Sequence, residues 1–142
     1  MTGTAREDLF RAEQLLKKGE YKDALELVET IAAREGLPKD DRLACSLLES
    51  QLRVKLGELE KALTLAEEVL QTVRGRMNLL LGVDALIIEA EVSWRSGNLD
   101  EGLGAVEEGE ELLVGTRLDH VGEWEEQIKR RKGELLQLRG VI

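Results

Sequence analysis

Leu9, Phe10, Ala12, Leu15 and Leu16 recur at the three- and four-residue intervals of a helix, with charged and amide residues between them, so the pattern predicts an amphipathic helix ending near Gly19. A glycine there can take the left-handed conformation that ends a helix at little cost. Beyond it Ala24, Leu25, Leu27, Val28, Ile31 and Ala32 resume the same period, which predicts a second helix, and the small Ala24 lets the two approach closely near their connection. Neither stripe can be buried by its own helix, and isolated helices of this length are marginal in water. The passage around the turn is then written twice more. Gly19-Glu20-Tyr21-Lys22-Asp23-Ala24-Leu25 returns as Gly57-Glu58-Leu59-Glu60-Lys61-Ala62-Leu63 and as Gly97-Asn98-Leu99-Asp100-Glu101-Gly102-Leu103. The spacings of 38 and 40 residues belong to helical hairpins that stack on one another, each completing its neighbour's core. Read along the whole chain, the pattern predicts helices over 4–18, 22–35, 39–56, 60–74, 77–96, 99–114 and 117–139 and no strand.

These residues resemble the tetratricopeptide repeat, in its variants with extended helices. That unit has a small residue midway along its first helix, a glycine-containing turn followed by an aromatic residue, and an alanine early in the second helix. Ala12, Ser50 and Ala90 each stand seven residues before a turn glycine, Tyr21 supplies the aromatic, and Ala24 and Ala62 supply the alanine. Leu59 and Leu99 take the aromatic's place in the later units, and Gly102 replaces the third alanine. The resemblance implies an all-α fold, a right-handed solenoid of three antiparallel hairpins over about 4–36, 39–75 and 76–115, plus a C-terminal helix, in one domain spanning 1–142. Residues 116–139 read either as a cap on the third hairpin or, since Gly133 precedes Gly140 by the same seven residues, as the opening of a fourth repeat in a longer array.

Composition narrows the picture. Apolar residues make up 42% of the chain and aromatics only 3%, so the core has to be built from Leu, Ala, Val and Ile. Pro38 falls where it separates the first two hairpins without breaking a helix. The net charge of −9 disfavours nucleic acid and anionic membranes as partners. The run Lys129-Arg130-Arg131-Lys132 points in four directions about 100° apart on a helix and follows Glu123, Glu125 and Glu126 by one turn, so it reads as a solvated face. The most apolar tract, Met77 to Ala90, contains Asp84 and Glu89 and is too short to span a bilayer, and the first residues have no apolar signal segment. A cytoplasmic location is expected.

Catalytic constellations are scarce. One histidine, His120, has no second ligand nearby for a metal site, no glycine-rich phosphate loop is present, and the single Cys45 sits between apolar neighbours as a packed thiol. We therefore expect a non-enzymatic protein without a cofactor or metal. The resemblance places the first helix of each unit on a concave inner surface. Ten and three residues before the turns lie Leu9 and Leu16, Leu47 and Val54, and Ile87 and Trp94. Six before lie Glu13, Gln51 and Glu91; two before lie Lys17, Lys55 and Arg95. Positions ten, six and three before the turn share one face, so these twelve residues are expected to form an apolar groove for a peptide or amphipathic helix, unless long helices bury them in their own seams. Capture of a terminal carboxylate is disfavoured, because Gln51 and Glu91 stand where the family's clamp has asparagines. Self-assembly through Trp124, Ile128, Leu135 and Leu138 is the alternative.

Overall fold

The computed structural model describes residues 4–73, 79–119 and 125–141, and their side chains except at 79–80, 114–119 and 125–128. Among the described residues there are seven helices and no strand: α1 (Ala5–Lys17), α2 (Tyr21–Ala32), α3 (Lys39–Lys55), α4 (Leu59–Val73), α5 (Leu79–Ser96), α6 (Leu99–Asp119) and α7 (Glu125–Val141). The protein is all-α. None of the described helices is long and apolar enough to cross a membrane.

The three repeated turns share one backbone. Gly19, Gly57 and Gly97 have φ of 83°, 82° and 83°. Each glycine donates its N–H to the carbonyl three residues back, and the next residue donates to the carbonyl five back. The first pair of bonds is Gly19 to Leu16 at 3.0 Å and Glu20 to Leu15 at 2.9 Å; the second is Gly57 to Val54 at 3.1 Å and Glu58 to Arg53 at 2.8 Å. Gly97 to Trp94 at 3.2 Å and Asn98 to Ser93 at 2.8 Å complete the set. This double closure satisfies carbonyls that a helix end otherwise leaves open. Glu20, Glu58 and Asn98 then accept the first bond of the following helix, from Ala24, Ala62 and Gly102, each at 3.0 Å. One residue thus finishes one helix and starts the next, three times.

Element limits agree with the sequence pattern except near the C-terminus. There α6 continues to Asp119, and α7 begins at 125 rather than 117. Gly115 marks the expected stop, but one internal glycine costs a helix only about 1 kcal/mol, and α6 runs through it.

Packing groups the chain into two compact units, residues 1–65 and 66–142, divided within α4. In the first, α1, α2 and α3 pack on one another around Leu9, Ala12, Ala24, Val28, Ile31, Leu37, Cys45, Leu48 and Leu52. The small residues of the repeat sit where closeness is needed. Ala12 and Ala24 are fully buried, and the buried Ser50 Oγ donates to the Ala62 carbonyl at 2.6 Å, tying α3 to the start of α4. Asp8, also buried, is held by Arg34 and, at 3.4 Å, by Arg11.

In the second unit α5 packs on α6, and α7 packs on both. Val83, Ala90, Val106, Leu113 and Leu135 form its core, with Ile87, Ala105, Leu112 and Leu138 at the edge. Space is scarce at Gly109 of α6, where an added Cβ would stand 3.1 Å from Leu135.

Candidate interaction surfaces

The twelve expected groove residues divide by access. Leu9, Leu47 and Val54 are buried at 7%, 6% and 2% exposure, so burial, and not an open wall, is their place. Leu9 belongs to the first unit's core, and for Leu47 and Val54 the cause is visible in α3, which carries two inward stripes. Cys45, Leu48 and Leu52 belong to the first unit's core, and Leu43, Leu47, Ser50 and Val54 are buried on another face of the same helix. Leu16, Gln51, Ile87 and Glu91 are half-buried. Leu16 packs against the first core and Ile87 against the second. Glu13, Lys17, Lys55, Trp94 and Arg95 are exposed.

Trp94, in the last turn of α5, is the largest of the exposed apolar side chains among the described residues at 41% exposure, and Leu99, just across the Gly97 turn, is exposed as well. Glu91 and Arg95 pair loosely at 3.9 Å on the same helix. On α1 the exposed apolar residue is Phe10, which shares a face with Glu13 and Lys17 by its three- and seven-residue spacing. The sequence pattern pairs Leu9 with Phe10 without ranking them; the signal that could have done so is the run Leu9, Ala12, Leu16, which turns Phe10 outward. The recurrent cations have a local explanation too: Lys17, Arg53 with Lys55, and Arg95 occupy the last turns of α1, α3 and α5, where positive charge meets the negative end of the helix dipole.

Charge around the second turn is organised. Arg53, at 17% side-chain exposure, contacts Glu49 and Glu58 at 3.1 Å each, and Lys61 reaches Glu58 at 3.2 Å. The hydrogen bond from Lys61, and after it those from Arg53, hold the Glu58 carboxyl below its ordinary range. A carboxylate depressed in the fold adds stability above its unfolded pKa and loses it as pH falls through the folded value; at this exposed position the effect is small. Burial, followed by the Asp41 charge, pushes the Cys45 thiol up, so it stays protonated inside the first core, and the stability this adds is lost as alkaline pH rises from the thiol's ordinary value through its raised one.

The basic run on α7 departs from expectation. Lys129, Arg130 and Lys132 are exposed, but Arg131 is buried and donates through Nη2 to Asp84 Oδ2 at 2.6 Å, with Arg130 3.7 Å from the same carboxylate. One direction in four points inward, and Asp84 of α5 is what it meets. Leu135 and Leu138 likewise pack on their own unit's core, which removes Leu135 as an exposed contact for another copy. His120, Trp124 and Glu123, and the side chains of Glu125, Glu126 and Ile128, lie outside the described residues. Comparison with family models, with curated proteins and with solved structures gives no match.

Proposed function

We propose that the chain is a non-enzymatic interaction scaffold of tetratricopeptide type, its helix pairs antiparallel hairpins in a right-handed solenoid, which binds a peptide or amphipathic helix of another protein. The thrice-repeated turn supports the repeat reading. The observation that carries the binding reading is Trp94, a large aromatic left 41% exposed at the end of a well-packed helix, where a structural role alone would favour burial. Leu99, across the Gly97 turn, is exposed as well, and Glu91 and Arg95 put charges of both signs on the helix that carries Trp94. Covering what remains open of a Trp side chain is worth about 2 kcal/mol. With one or two further anchors, and after the cost of ordering a flexible ligand, affinity of about micromolar order follows. A net charge of −9 favours protein over nucleic acid or anionic membrane as partner, and a cytoplasmic setting fits that reading.

Peptides selected from a displayed random library on the intact chain provide the test. Trp94→Ala is expected to weaken selected binders about thirtyfold while leaving helical circular dichroism unchanged. Binders indifferent to Trp94 would overturn this surface. Among the described residues of α7, Leu136 and Val141 are the exposed large apolar side chains that self-association through the C-terminal helix would draw on.

A further inference from the structure

Helices α1, α3, α5 and α7 follow one register. Nine and five residues before Gly57 stand Leu48 and Leu52, and before Gly97 stand Ile88 and Val92, all four at 4% exposure or less. Counted in the same way from Gly140, which lies inside α7, the positions are the buried Arg131 and Leu135. A second stripe, about 100° away, runs through the positions ten and seven before each glycine: Leu9 and Ala12, Leu47 and Ser50, Ile87 and Ala90. Within each unit the two kinds of stripe meet. Leu9 and Ala12 of α1 share the first core with Leu48 and Leu52 of α3; Ile87 and Ala90 of α5 share the second with Leu135 of α7. The chain thus makes one helix-to-helix contact twice.

Two matching halves of that contact are open. On α1 the nine-and-five positions hold Phe10 and Gln14, and Phe10 is 55% exposed where Leu48, Ile88 and Arg131 are buried. On α7 the ten-and-seven positions hold Arg130 and Gly133, both exposed. A Cβ at Gly133 would meet nothing within 4 Å, although Ala12, Ser50 and Ala90 at the same register are fully buried. Leu136, one turn on, is exposed as well.

The open halves suit each other in shape and charge. Phe10 is a large apolar knob, and Gly133 beside Leu136 leaves room for one. Glu7 and Glu13, both exposed, stand three residues to either side of Phe10 on its face. The exposed Lys129 and Arg130 stand one turn before Gly133, so acidic flanks come to basic ones and a cation comes to the ring. The same register sets Gln14 opposite the exposed Gln137, two amides able to hydrogen-bond. These halves are more polar than the buried contacts, as reversible interfaces are.

We propose that copies of this chain associate head to tail, Phe10 of one copy packing on Gly133 and Leu136 of the next. The contact is heterologous, so each pair of copies keeps one open α1 face and one open α7 face. It uses no part of the Trp94 surface and does not depend on it.

Sedimentation equilibrium of the full chain at up to about 1 mM is expected to show a weight-average mass that rises with concentration. Phe10→Glu and Gly133→Glu, both at exposed positions, should each weaken self-association at least tenfold while leaving helical circular dichroism unchanged. Mixed together, the two variants should form a discrete one-to-one complex, because each retains the half that the other has lost. A chain that stays monomeric at every concentration would overturn the proposal. So would association that Phe10→Glu leaves intact, which would assign α7 to a symmetric contact with its own copy, and so would a mixture of the variants that forms no complex.

Discussion

At φ near 82° Gly57 has open space where a Cβ would go, so a side chain there meets no steric clash with neighbours and suffers only from the left-handed backbone. Gly57→Ala is therefore expected to destabilise by about 1–2 kcal/mol in urea unfolding, while Gly133→Ala, in helical backbone with equal room, should stabilise by up to about 1 kcal/mol. The opposite signs separate a glycine that a turn demands from one that nothing nearby demands. This demand was legible in the sequence at Gly19, Gly57 and Gly97, because a glycine that ends a helix leaves a periodic stripe on either side. Nor did the small residues seven positions earlier need coordinates, since Ala12, Ser50 and Ala90 are all fully buried. Phe10 and Leu9 taken as a pair fit the same period about 100° apart, so only the longer run Leu9, Ala12 and Leu16 tells which of them faces inward.

Whole elements followed from period and turn; what each of their faces meets did not. The stripe Leu43, Leu47, Ser50 and Val54 on α3 looks the same in sequence whether solvent, a ligand or protein covers it, and only its burial separates it from the more open Ile87 and Trp94 of α5. Ion pairing is equally opaque. Nothing local links Asp84 to Arg131, 47 positions apart, or tells Arg131 from the exposed Lys129, Arg130 and Lys132 beside it. On α7 the adjacent leucines make the contrast measurable. Leu135→Ala empties a filled hole against Gly109 and is expected to cost about 3 kcal/mol or more, whereas Leu136→Ala, at an exposed position, should change stability by less than about 0.5 kcal/mol; chemical denaturation of both variants reads the difference.

Among the described residues each of the two units carries a buried aspartate matched to an arginine distant in sequence, Asp8 with Arg34 in the first and Asp84 with Arg131 in the second. Arg34→Ala leaves Asp8 with only the exposed Arg11 at 3.4 Å, a loss of up to about 3 kcal/mol. Hydrogen exchange should place that loss in α1–α3 and leave α5–α7 protected as before; equal loss throughout would mean the units unfold as one. The elbows at Glu20, Glu58 and Asn98 carry a different consequence for the molecule. With no spare residue between one rod and the next, an inserted amino acid at any of the three has nowhere to sit without unmaking two helix ends together. The growth in spacing from 38 residues to 40 therefore arises away from the elbows, whose bonds are the same in all three.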